Sequence, residues 1–302
     1  MPSTAPSVPG RTAPSFINQM SRMNSPENDR TLDALIRLLG EEGAHFEIIR
    51  RRLVEIGSPA LPALERCVRE GASLISERAG QIIESIRLEA LDEEWQRYAE
   101  KEPCSLEEGV FLLARFAYPE MNSEIYRTKI DRMAEVLRRR IQPDSSPPAV
   151  IRTLNRYLFE ELLFSGNREN YYLPENSYIN TVLDTKKGIP ISLSVVMLLL
   201  AERLNLPLHG IGMPGHFLVS WSDERDEIYI DPFHEGRMLT RGEIESQLPG
   251  DEKGLIAQYL RKVSTRQIIT RMIRNLIHIY TEGGETEKGS WLERFHKRVH
   301  ST

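Results

Sequence analysis

Two cysteines in 302 residues, Cys67 and Cys104, exclude a disulfide framework and a Cys-based zinc site. So few thiols fit a reducing compartment, and each reads as a small core residue. Long apolar runs are missing too. The best, Ile189 to Leu200, is too short to span a bilayer and is interrupted by Pro190, Ser192 and Ser194. Nor is there an excess of positive charge: a formal net charge of −5 speaks against a nucleic-acid surface. The exception, Arg138-Arg139-Arg140, reads as a solvated last turn that the helix dipole favours. Residues 1–28, rich in Pro, Ser, Thr and Ala, lack the apolar core of a secretory signal and are expected to form a disordered tail. No membrane partner is implied, and a cytoplasmic location follows by elimination.

What is present is ordinary soluble composition, 40% hydrophobic and 27% charged, on a length that suits one large core or two smaller ones. Residues 29–141 carry a helical period. Leu32, Leu35, Ile36 and Leu39 recur at helix spacing, and Ile48, Ile49, Leu53 and Ile56 follow. Ser58-Pro59-Ala60-Leu61-Pro62 is a helix entry with Ser58 as N-cap, and a partner helix is expected over residues 73–88. Ser105 and Glu108 form a capping-box pattern. After the helix-breaking segment 142–148, residues 150–250 mix periods. The run Val195-Val196-Met197-Leu198-Leu199-Leu200, entered through Pro190, is apolar nearly all round and therefore a buried helix. His216–Trp221 and Ile228–Asp231 alternate as strands. Residues 255–302 return to helix. The sum is an α+β chain, helical first and mixed afterwards.

His216 and Asp231 are the residues with chemistry. If Trp221 pairs with Ile228, Leu218 faces Asp231 and His216 faces Phe233. His216 and Asp231 then become diagonal neighbours on one face of the sheet. An imidazole oriented by a carboxylate is the base half of a nucleophilic triad. The competing reading is a strand-start His and an Asp-Pro turn, each satisfied locally. A third is a two-His-one-carboxylate metal set with His234. Because His234 lies past Pro232 its direction is not fixed by the sequence, and neither metal nor cofactor is assigned.

Asn176-Ser177-Tyr178-Ile179-Asn180, Val182-Leu183-Asp184, Gly188-Ile189-Pro190-Ile191-Ser192-Leu193, Pro214-Gly215-His216-Phe217 and Asp231-Pro232-Phe233 occur in that order. Together they resemble the signature of the SirB1 family within the transglutaminase-like superfamily, over about residues 105–280. The entry Gly57-Ser58-Pro59-Ala60-Leu61 is similar to that of a HEAT-type repeat.

The resemblance implies a helical N-terminal half packed on a transglutaminase-like (papain-like) domain with a central buried helix and a small antiparallel sheet. It assigns His216 to the base position and Asp231 to the orienting position. Asn176, Ser177 and Pro190, from these motifs, are expected on the cleft; Tyr171 and Tyr172 read as packing residues, with Tyr172 as a further cleft candidate. The nucleophile departs from the pattern, because Pro190 or, with a small shift, Ser192 stands where the superfamily has Cys. A Ser cannot ionise as a Cys thiolate does at a helix N-terminus beside a His. Ser192 is either the nucleophile of a Ser-dependent hydrolase or amidase with His216 and Asp231, or a first-turn hydroxyl bonded to backbone. The leading expectation is a non-catalytic module that binds a protein or peptide.

Overall fold

The computed structural model describes residues 26–40, 45–223, 227–250 and 252–300. All but the last three residues of the expected tail, 1–28, lie outside them. The chain divides into two compact units, Met1–Ala90 and Leu91–Thr302.

The first unit holds α1 (Pro26–Arg37), α2 (Phe46–Ile56), α3 (Leu61–Glu70) and the start of α4 (Ser73–Ala99). Leu39, Ile49, Leu53, Leu64, Ala79, Ile82 and Ile86 form its core. Here one expectation changes: Ser58 does not cap a helix with its side chain. Residues Ser58–Ala60 make a tight turn, and α3 begins at Leu61. Two prolines three apart, neither with an N–H to give, favour that short step. The partner helix also runs to Ala99 rather than ending near residue 88. Nothing between Leu88 and Ala99 breaks a helix, and Leu91, Trp95 and Tyr98 bury its last turns in the second unit's core.

In the second unit α5 (Leu106–Ala117) starts where Ser105 Oγ accepts the Glu108 amide, followed by α6 (Ser123–Arg140) and α7 (Pro147–Asn155). The triple arginine closing α6 is spent on Glu135 and Glu161. A wider helical turn, Arg156–Glu161, leads into the segment that joins it to the next α-helix. That segment contains β1 (Ser165–Gly166), paired in parallel with β2 (Lys187–Gly188) across α8 (Ile179–Thr185). Next comes α9 (Pro190–Leu204), with every residue from Pro190 to Ala201 buried.

A four-stranded antiparallel meander follows: β3 (Leu208–Met213), β4 (His216–Ser222), β5 (Glu227–Asp231) and β6 (Arg237–Leu239). Pairs Trp221–Ile228 and Val219–Ile230 set the register of β4 on β5. Phe217, Val219 and Ile230 belong to the main core together with the apolar residues of α9. Leu218, Tyr229 and Leu239 belong to a smaller core with Ile244 and Ile256, from α10 (Arg241–Gln247) and α11 (Ile256–Tyr259). Covering both faces this way explains why Phe217–Trp221 of β4 are buried without a break.

The helical stretch that begins near residue 255 is interrupted once where none was expected, before the stop at Gly283-Gly284. Residues 261–264 cross to β3, where the Val263 amide bonds Gly210 O, and a capping box of Ser264 and Gln267 starts α12 (Thr265–Glu282). Then α13 (Thr286–His300) folds back on it, with Phe295 fully buried. No helix among the described residues is long and apolar enough to cross a membrane.

Candidate functional site

His216 opens β4 because Pro214-Gly215 makes a two-residue turn, with Gly215 at φ +63° and Met213 paired to His216. Proline sets the first turn position, and only the glycine accepts the second without strain. Arg271 of α12 fastens this corner, donating from Nη2 to Met213 O and to His216 O, both at 2.7 Å. Its guanidinium also lies over the Phe217 ring, 5.5 Å from the centroid.

Asp231 ends β5. Its Oδ1 accepts the amides of Phe233 and His234 at 3.1 and 3.2 Å, capping the tight turn Pro232–His234. Its Oδ2 accepts from two imidazoles, His216 Nε2 and His234 Nδ1, each at 2.8 Å. The carboxylate is 8% exposed. Burial pushes its pKa up, but the hydrogen bonds and charge of His216 and then His234 outweigh this and hold it below the usual carboxylate value.

His216 and Asp231 thus meet as diagonal neighbours. By strand alternation they lie on the face of Leu218 and Tyr229, whereas α9 packs with Phe217, Val219 and Ile230 of the opposite face. The pair sits at the rim, where β4 starts and β5 stops. What carries the site toward α9 is the turn Pro232–His234, which packs against that helix.

His234 joins the pair although its direction was not legible beforehand. Its signal was the spacing Asp-Pro-x-His: in a tight turn of three residues per revolution, positions i and i+3 stack. Arg271 was also missed as a support. It is a helix residue of no distinctive spacing, and only the tertiary fold brings it to the Pro-Gly corner.

An aromatic border adjoins the pair. Phe233 stands edge-on to His216 (centroids 6.2 Å apart) and to Tyr171 (5.9 Å), and Tyr171 contacts Tyr172. Tyr172 is 69% exposed, and Leu163 and Leu173 are exposed as well.

The first turn of α9 contrasts with this open rim. Ser192 is fully buried, and its Oγ donates to Asn176 O at 2.6 Å, with Ile189 O at 3.1 Å, while accepting the Ile189 amide at 3.0 Å. These three groups are its hydrogen-bond partners; His216 is not among them. Gly188 lies so close that a Cβ there would fall 2.7 Å from Ser192 Oγ. Asn176 is itself buried: its Oδ1 accepts from Asn167 Nδ2, and its Nδ2 donates to the carbonyls of Asn170 and Tyr171. Ser177 and Pro190 are buried beside it, so of the four expected cleft residues Tyr172 is the exposed one. Neither thiol joins: Cys104 Sγ faces the carbonyls of Lys101 and Tyr98, and Cys67, half-buried, packs against the first unit's core.

A buried helix packed on an antiparallel sheet, with an imidazole–carboxylate pair at the sheet's rim, is the architecture of a transglutaminase-like domain. Residues 124–274, half of the chain, match the family model described as Transglutaminase-like superfamily. The chain is 34% identical over 197 residues to a UPF0162 protein of Xylella fastidiosa (strain 9a5c), covering 63% of this chain and 69% of that one. It is 33% identical over 174 residues to a UPF0162 protein of Vibrio cholerae serotype O1, covering 56% and 63%. It is also 36% identical over 138 residues to F-box only protein 21 of Mus musculus, covering 43% of this chain and 22% of that one. No solved structure matches. The chain belongs to the transglutaminase-like superfamily and, within it, to the UPF0162 family.

Proposed function

We infer that this is a SirB1-type transglutaminase-like module that binds a peptide or protein segment without crosslinking or cleaving it. A HEAT-like helical region at its N-terminus is part of the same reading. One observation carries the inference. The helix turn that presents the nucleophile in the superfamily pattern here bears Pro190 and a Ser192 hydroxyl sealed against Asn176 O. A nucleophile must lie within hydrogen-bond reach of its base, and this one is spent on backbone. The exposed Tyr172 and the ring contacts from Tyr171 through Phe233 to His216 supply an apolar, partly polar-tipped surface of the kind that holds a segment. The match to an F-box protein over 22% of its length is consistent with a module used inside larger chains.

Selection of a displayed random-peptide library on the purified chain tests this. Enriched peptides are expected to bind the wild type at least tenfold better than a Tyr171→Ala/Tyr172→Ala variant. Failure to enrich any sequence, or enrichment indifferent to that variant, contradicts the reading. Ser-dependent hydrolysis is the weaker reading, since it requires Ser192 to leave its backbone partners and turn to His216.

A further inference from the structure

An orienting carboxylate needs one imidazole, and Asp231 holds two. His234 is surplus to the pair that the superfamily pattern calls for. It nevertheless aims Nδ1 at the same oxygen as His216 Nε2, at the same 2.8 Å. We propose that His216, Asp231 and His234 form a binding site for one divalent first-row transition cation, with zinc the best chemical match.

The donor atoms, one per residue, all lie within 4.8 Å of one another. A tetrahedral ion with nitrogen and oxygen donors at about 2.0–2.1 Å keeps those donors about 3.4 Å apart. Each hydrogen bond to Oδ2 therefore opens by about half an ångström as the ion enters, and the two nitrogens draw together. The histidines have the freedom to do this, with side chains 26% and 46% exposed. Asp231 does not move: its Oδ1 is gripped by two backbone amides, which fixes Oδ2 as a preset ligand in the manner of an outer shell.

Two imidazoles and one carboxylate favour a borderline ion such as Zn²⁺ over Ca²⁺ or Mg²⁺, which take oxygen ligands. Three protein donors leave a fourth position for water or for a group of a bound segment. Protons balance simply. The carboxylate can only accept, so each facing nitrogen carries a proton; when the ion takes that lone pair, the proton relocates through solvent to the ring's other nitrogen. With both rings neutral no proton is released overall. The guanidinium of Arg271, at the carbonyl of His216, works against a cation. Its two hydrogen bonds to carbonyl oxygens partly offset that charge.

The inference stands apart from peptide binding, and its test uses no peptide. The full chain is stripped with chelator and titrated with ZnCl₂ by calorimetry. The proposal predicts one ion at this site, a rise in melting temperature with zinc, and at least about 100-fold weaker binding in both His234→Gln and His216→Gln, since losing a ligand outweighs losing an outer-shell partner. His296 and His300 stack one turn apart on α13, centroids 5.5 Å apart, and offer a competing surface chelate. The double variant His296→Gln/His300→Gln is therefore expected to keep the tight site. His234 is half exposed, so its variant should fold, which circular dichroism in chelator verifies. No zinc uptake, or uptake lost with the α13 pair and untouched by His234→Gln, overturns the proposal.

Discussion

The sheet rim and the first turn of α9 treat their polar side chains in opposite ways. At the sheet rim, His216, Asp231 and His234 are linked through one carboxylate, with both imidazoles partly open to solvent. At the start of α9, Ser192 is buried, backbone-bonded and crowded by Gly188. The rim carries a second histidine, His234, on the same carboxylate oxygen as His216. The comparison teaches that the solvent-facing polar groups gather at the rim, whereas the hydroxyl of α9 is held by backbone away from them, which is the contrast behind the proposed binding of a segment or an ion.

The largest effect that can break this contrast is removal of the shared carboxylate. Asp231→Ala leaves two imidazoles and two backbone amides without their acceptor, and is expected to cost about 2–4 kcal/mol in urea unfolding. A loss under about 0.5 kcal/mol would mean that the cluster holds nothing together. On the other side, Ser192→Ala strands Asn176 O and the Ile189 amide in a buried place, for about 1–2 kcal/mol. Because a Cβ at residue 188 would meet Ser192 Oγ, Gly188→Ala should destabilise by about 1–3 kcal/mol alone and by less on the Ser192→Ala background. Strict additivity in that double-mutant cycle would show that the two residues do not press on each other.

A smaller effect sharpens the electrostatic half. Asp231 has its native pKa below the ordinary 3.8. A depressed acid stabilises the fold above its unfolded pKa, and that contribution fades as pH falls through the native value. The stability difference between wild type and Asp231→Asn should therefore shrink steadily as pH falls below about 4, read from urea midpoints. A difference that grows below about pH 4 would contradict the assignment.

The sequence revealed the buried helix and the His–Asp pairing because both rest on short-range regularities. An unbroken apolar run leaves α9 no solvent face, and the Trp221–Ile228 register forces residues 216 and 231 onto one side. What could not be read depends on chain returning from afar. Ser192's partner comes from the loop at Asn176, Arg271 arrives from a helix some fifty residues on, and His234 depends on how tightly the chain turns after Pro232. The length of α4 was misjudged for a different reason: residues 88–99 show no breaker, but their apolar positions serve a second core, so the period of the first one faded.

Fluorophosphonate labelling of the purified chain, followed by peptide mapping, addresses the first turn of α9 most directly. The account predicts no adduct at Ser192 under conditions where an authentic serine hydrolase labels fully. An adduct on Ser192 that disappears in His216→Ala would contradict it and would favour the Ser-dependent hydrolase reading.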